Sequence, residues 1–470
     1  MNPLEPRNTR NARWAHEQKD GRFAIFPNRE SWGLFFRAFS RLSRFPLLFL
    51  FVVSGAFAQA PMLQDGAATL RKARLDWTAG DPPQGPSSLP SFEVGWGGAG
   101  SDGAYAPLVD GEGLGHGTRG WGLGLQGRYV SGGWSFSATT LGLRDHGATK
   151  GLLQRVALAY QTESGWRAAL EQTPFAWGTG LNGGDLLGDG TRPFPRLSLA
   201  TPEALLLMGR WQLEVFAGRL EREPPIPEWI PDRDARSAAQ AAGLDLQKPL
   251  FWGALLRAAF GTLLEASLGT VSMEGGQDAQ GRPAPAEAAR THALAEVKVR
   301  VPGLARFVQA RGASLYVSRE AAPESRARTL ASARILGGLQ LVWEGWDFGV
   351  EFARALPRST FFVLQPAYLA GFSTHGDALG SAFGSETITR TVELGLPLFR
   401  EGWGRLKVVR ATAALDHPSG TGSWFLQTAA QWRTPTGRFG ASIASRRNEL
   451  PTSNARWGWT FSVFQAFRVF

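Results

Sequence analysis

Trp177, Arg192 and Arg196 share a connection over residues 173–205 that is rich in Gly, Pro and Asp. Sugar rings present apolar faces that stack on an indole, and anionic sugars pair with the planar guanidinium fork. These residue types therefore fit an acidic saccharide. The structural alternative stands ahead of it. Pro193 and Pro195 fix an extended path, and Asp185 and Asp189 are ion-pair partners for Arg192 within the same connection. His375, close to Asp377, is a further candidate that could hydrogen-bond a sugar hydroxyl; its ordinary role is that of a solvated turn histidine.

Catalytic patterns are missing. Past residue 58 the histidines are His116, His146, His292, His375 and His417, and none stands in a paired metal-ligand spacing such as H-E-x-x-H. Gly380-Ser-Ala-Phe-Gly384 is not a Gly-x-Ser-x-Gly elbow. Gly122-Leu-Gly-Leu-Gln-Gly127 formally fits the dinucleotide fingerprint, but strand-like alternation continues through Arg128, Tyr129 and Val130 where that fingerprint requires a helix. The absence of cysteine removes disulfides, thiolate metal sites and cysteine nucleophiles. The expectation is a protein without enzymatic activity, cofactor or metal.

The elements that must position these residues alternate with period two. Trp211, Leu213, Val215 and Ala217 fall on one face; so do Ile335, Gly337, Leu339, Leu341 and Trp343. Phe348, Val350 and Phe352 follow a tight turn at Glu344-Gly345, as in a hairpin. Arg390, Val392, Leu394 and Leu396 alternate with Thr391, Glu393 and Gly395, and Trp457, Trp459, Phe461 and Val463 with Gly458, Thr460, Ser462 and Phe464. Segments of about ten residues, apolar on one face and small or polar on the other, are what a membrane barrel requires, because lipid wets its outside and every backbone polar group must be paired. The pattern predicts an all-β chain: a transmembrane antiparallel β-barrel of roughly 16–18 strands, two of them near 242–248 and 360–369. Long connections at 173–205 and 221–241 become external loops, and the first acts as a plug if it folds into the lumen. Trp229, Trp252, Trp343, Trp346, Trp403 and Trp457 lie at strand ends, as an aromatic girdle at the bilayer interface would.

Arg37, Arg41 and Arg44 precede the apolar run Phe45–Val53, and Ser54-Gly-Ala-Phe-Ala58 follows. This is the pattern of a cleavable secretory signal with cleavage after Ala58. Residues 1–36 are polar and far upstream for such a signal, and are given no structure. The organisation predicted is thus an extension plus signal peptide over 1–58, a periplasmic or plug segment over 59–91 with a short helix at Leu70–Trp77, and a barrel over 92–470. The chain ends in Phe470, a terminal aromatic of the kind that outer-membrane barrels present to the insertion machinery, although Arg468 interrupts the usual apolar parity. Half of the net charge of +10 falls within residues 1–58, and no basic stripe marks a nucleic-acid surface.

Two segments carry a family resemblance. Glu171-Gln-Thr-Pro-Phe-Ala-Trp177-Gly178-Thr-Gly180, Gly190-Thr-Arg192-Pro193-Phe194-Pro195 and Trp211-Gln-Leu-Glu-Val-Phe-Ala-Gly218-Arg-Leu220 occur in the order of the Wzi family signature, with Ala242–Pro249 in the place of its next strand. Tyr368-Leu-Ala-Gly371-Phe372-Ser-Thr-His375-Gly376-Asp-Ala-Leu379-Gly380 is similar to that family's aromatic-rich turn. Thr179 stands where the family usually has Pro, and Gly190-Thr191 where it has Asn-Ala. The resemblance implies an outer-membrane, lectin-like anchor of acidic capsular or extracellular polysaccharide, with outer-membrane lipids and the insertion machinery as further partners. A porin or substrate-specific channel is the alternative function, and an outer-membrane hydrolase the third.

Overall fold

A computed structural model describes residues 71, 74–80, 91–101, 120–145, 148–173, 177–181, 194–206, 209–220, 248–277, 281–283, 290–321, 333–355, 373–374, 377–378, 387–398, 402–413, 422–434, 437–448 and 457–468. All of them lie in one compact unit, residues 56–470. The extension and signal expected over 1–58, the strand expected near 360–369, and all but Lys248 of that expected near 242–248 lie outside the described residues.

The strands are β1 (Ser91–Ser101), β2 (Gly120–Ser131), β3 (Trp134–Asp145), β4 (Ala148–Gln161), β5 (Arg167–Gln172), β6 (Arg196–Ala200), β7 (Ala204–Leu206), β8 (Gly209–Arg219), β9 (Leu250–Phe260), β10 (Leu264–Glu274), β11 (Arg290–Arg300), β12 (Gly312–Ala321), β13 (Ala333–Val342) and β14 (Asp347–Ala355). A two-residue hairpin, β15 (Ser373–Thr374) with β16 (Asp377–Ala378), stands apart. Then come β17 (Thr387–Leu398), β18 (Gly402–Ala413), β19 (Gly422–Thr434), β20 (Gly437–Asn448) and β21 (Trp457–Arg468).

Nineteen strands form one sheet. Each pairs antiparallel with its sequence neighbour, except that β6 and β7 both pair with β8 and so share one broken stave, which leaves eighteen staves. The pairings return to their start: β1 pairs with β2 along one edge and with β21 along the other, Glu93 lying opposite both Arg128 and Arg468. A closed ring has no free edge, so every backbone donor and acceptor in it can be paired inside lipid.

The faces are inverted relative to a water-soluble sheet. Outward residues are large and apolar and remain accessible, as at Leu170 (63 %), Leu197 (62 %) and Leu268 (61 %). Inward neighbours are polar yet buried, as at Glu351 (1 %), Glu393 (1 %) and Lys407 (0 %). A solvent that tolerates bare Leu and Phe over a whole cylinder is hydrocarbon. Among the described residues no helix is long and apolar enough to cross a membrane.

Connection lengths define the two ends. Residues 132–133, 162–166, 207–208, 261–263, 301–311, 343–346, 399–401 and 435–436 join strands at one end; most connections at the other, including 102–119, 220–249 and 356–386, are far longer. Short turns face the periplasm in barrels of this kind. One expectation needs correcting. The stretch 173–205 is not loop throughout, because β6 and β7 occupy 196–200 and 204–206. Arg196, Ser198 and exposed Leu197, Leu199 alternate in the strand period, but five residues are too few to stand out in a Pro-rich stretch.

Val350 sits on the outward face of β14 between Phe348 and Phe352. Val350→Arg should destabilise the barrel by about 2–4 kcal/mol in urea titrations in lipid vesicles, the cost of a charge deep in the lipid-facing wall. A change within error would place that residue away from hydrocarbon.

Candidate functional site

The inward face of β11 to β18 carries buried charges, among them Glu296, Glu351, Glu393, Arg405 and Lys407. Two segments enter the lumen and meet them. The first comprises residue 71 and residues 74–79, which are helical. Arg71 donates from Nε to Glu393 Oε1 at 2.9 Å and from Nη2 to both oxygens of Asp347 at 2.6 Å. Its guanidinium also lies 5.0 Å from the Trp403 ring centroid. Arg74 Nη2 reaches Glu393 at 3.3 Å. One turn further on, the Thr78 hydroxyl lies 2.9 Å from Ser314 Oγ and 3.4 Å from Gln340 Oε1. Trp77 is covered by two wall cations, Lys298 at 5.6 Å and Arg300 at 4.7 Å. The segment thus reaches wall residues from β11 round to β18 near the short-turn end.

The second segment is 177–181. Thr179 Oγ1 donates to Glu296 at 3.0 Å, the Leu181 amide donates to Glu351, and Lys407 donates to the Leu181 carbonyl. Glu351 also accepts from the Tyr316 hydroxyl at 3.1 Å, and Lys407 Nζ lies 3.2 Å from Glu393. The two segments touch each other: Arg74 Nη1 donates to the Gly180 carbonyl at 3.0 Å. Buried acids and bases therefore form one network through wall, helix and loop. Burial alone would lower the pKa of Arg71; the carboxylates of Glu393 and Asp347 outweigh it and raise the pKa above the ordinary arginine value.

The wall is shaped to admit these segments. A Cβ on Gly312 would stand 2.1 Å from the Thr78 carbonyl oxygen and 2.7 Å from Ala79 Cα. A Cβ on Gly395 would stand 2.0 Å from Asp347 Oδ2 and 2.3 Å from Arg71 Nη2. Backbone and ion pair occupy the space that any other residue needs.

The residues singled out from the sequence divide. Trp177 is buried, packed edge-on against Phe216 (5.1 Å between centroids) and close to Gly253. Phe194 and Phe251 extend this aromatic cluster. Arg196 is buried on β6, not in a loop. It pairs with Glu171 at 3.2 Å and donates to the Thr173 carbonyl at 2.6 Å, clasping the two ends of the 173–195 connection to the wall. Arg192 and His375 lie outside the described residues. Of the girdle tryptophans, Trp346 is exposed, but Trp403 faces inward under Arg71 rather than toward lipid, because β18 places it on the face of Arg405 and Lys407. Sequence reasoning missed Arg71, Arg74, Asp347, Glu351 and Lys407. The available signal was acidic or basic residues at the inward parity of apolar strands. Among the described residues, no group of His, Asp and Glu could hold a metal ion.

An eighteen-stave cylinder, apolar outside and charged inside, with two chain segments held against its inner wall, is an outer-membrane β-barrel. No family model and no curated protein matches the chain. Among solved structures it is similar to Wzi of Escherichia coli, described as an outer-membrane protein involved in group 1 capsule assembly and a carbohydrate-binding β-barrel. The identity is 14%, over 87% of this chain and 99% of that one, with a TM-score of 0.60. It also matches OccAB2 of Acinetobacter baumannii (8% identity, 82% and 100% covered, TM-score 0.49) and OprD of Pseudomonas aeruginosa (11%, 82% and 97%, 0.44). At these identities the likeness to Wzi is one of fold.

Glu393→Gln leaves Arg71, Arg74 and Lys407 with too few anions and should cost about 3–5 kcal/mol, the penalty for breaking a buried ionic network from one side. Gly312→Ala should instead leave the barrel folded, with its heat-modifiable gel mobility, while residues 71–80 become open to protease. Protection equal to wild type in both variants would mean that the segment is not held by these contacts.

Proposed function

We propose that this protein is a plugged outer-membrane barrel that holds acidic polysaccharide at the cell surface through its external loops. The observation that supports the reading is the pair of chain segments held inside the lumen. Helical residues 71 and 74–79 and loop residues 177–181 enter it and are tied to the wall and to each other by Arg71, Arg74 and Lys407. With the passage occupied, the working surface is the long-loop end. The Wzi structure, whose own description is a carbohydrate-binding barrel of capsule assembly, supports the same assignment, as do the two ordered signature segments. Membership of that family is part of this proposal.

On this reading Trp177 and Arg196 build the scaffold beneath the loops rather than touching sugar, since their faces are taken by Phe216, Glu171 and Thr173. Contact with an anionic sugar then falls to Arg192, with its bidentate fork, and to His375. No catalytic step is assigned to the protein. A substrate-specific channel is the second reading, favoured by the charged lumen wall at Glu351, Glu393, Arg405 and Lys407; it requires the plug to move.

A deletion strain should shed surface polysaccharide into the medium. Wild-type protein should restore retention, and Arg192→Ala with His375→Ala should restore it several-fold less well at equal expression. Unchanged retention on deletion would sink the proposal.

A further inference from the structure

Charge on the lipid-facing side of β12 to β18 is sorted by sign. The outward series run Leu315, Val317, Arg319 on β12; Phe348, Val350, Phe352, Arg354 on β14; Leu394, Val392, Arg390 on β17; and Leu406, Val408, Arg410 on β18. Each is apolar through the wall and turns to arginine toward the long-loop end. The buried carboxylates of these strands, Glu320, Asp347, Glu351 and Glu393, all point inward. Among the described residues, the outward face of β12 to β18 bears no carboxylate.

The register gathers the arginines. Arg319 and Arg354 flank Ile335 on either side. Arg354 lies opposite Ile388, and Arg390 opposite Phe352, so these two are diagonal neighbours. Arg390 and Arg410 stand directly across from each other, and Arg410 lies 4.8 Å from the ring centroid of its own cross-strand partner Trp424. Like charges directly opposed destabilise a sheet. No hydrogen bond or ion pair to another described residue engages Arg319, Arg354 or Arg390, and all three are exposed. Four strand spacings, about 19 Å, separate the ends of the row. A guanidinium facing lipid is costly at mid-bilayer and cheap at the interface, where anionic headgroups lie.

We propose that Arg319, Arg354, Arg390 and Arg410 form a binding site on the outside of the barrel for the phosphate groups of an acylated glycolipid in the external leaflet. Guanidinium forks hold the phosphates in bidentate fashion. The acyl chains lie on Val317, Phe352 and Val392 below, and Trp424 flanks the headgroup. A row this wide takes a headgroup with more than one phosphate. This site is independent of the polysaccharide reading, because it lies on the outer wall and uses none of the loop residues.

The test compares wild type with Arg319→Gln/Arg354→Gln/Arg390→Gln. Both are reconstituted in phosphatidylcholine vesicles carrying bisphosphorylated lipid A or its fully dephosphorylated form, and the lipid retained after detergent extraction is read by native mass spectrometry. Wild type should keep the phosphorylated form in preference to the dephosphorylated one. The triple variant should lose that preference by on the order of a hundredfold, about fivefold per arginine. Heat-modifiable mobility reports folding; if the triple variant fails to fold, the single variants carry the same comparison. Equal retention of the two lipids by wild type would overturn the proposal, as would unchanged retention in the variants. Displacement by inorganic phosphate alone would make this a free-anion site and overturn the lipid assignment.

Discussion

Inside this cylinder, charge must be matched where water is scarce. Closing the ring satisfies the backbone but leaves Asp347, Glu351 and Glu393 crowded on the inward face of the neighbouring strands β14 and β17, with Lys407 and Arg405 as the wall's nearby cations. An uncompensated buried carboxylate costs several kcal/mol. Arg71 and Arg74 arrive from a segment outside the sheet and complete the network, at 2.6–3.3 Å from the acids. The loop amide of Leu181 completes Glu351. Helix, loop and wall are therefore one electrostatic unit, and Gly312 and Gly395 leave the space in which it fits. The plug is as much a part of the fold as any stave.

The same sorting organises the outside. Along β14, Phe348, Val350 and Phe352 face lipid while Asp347, Gly349 and Glu351 face the lumen. On β17, Val392 and Leu394 face out while Thr391 and Glu393 face in. A single residue of slip would place Glu393 in hydrocarbon and Val392 in the ion network, so register is held from both sides at once. The arginines that do face outward sit toward the long-loop end, where the bilayer becomes polar.

Much of the architecture was legible in the sequence for this reason. Period-two alternation at 211–217, 335–343 and 390–396 directly encodes the inversion of faces, and the barrel with its strand number follows from counting such segments. A short helix was legible over Leu70–Trp77, and residues 71 and 74–79 are helical. Its destination was not, because the partners of Arg71 are 276 and 322 residues away and nothing local ties Asp347 to it. Trp177 and Arg196 have the composition of a sugar site, yet residue type cannot say whether an indole stacks on a ligand or on Phe216. Arg196 also sat on a strand too short to be seen among prolines. Trp403 illustrates the same limit: position at a strand end does not distinguish a bilayer girdle from a lid over Arg71.

Single-channel recording of the wild-type protein in planar bilayers tests the filled lumen most directly. The structure predicts no stable conductance steps from the intact chain, with steps appearing once residues 71–80 are deleted. Steady open pores in the intact wild-type protein would contradict it, because ions would then be passing through the space assigned to Arg71, Arg74 and Leu181.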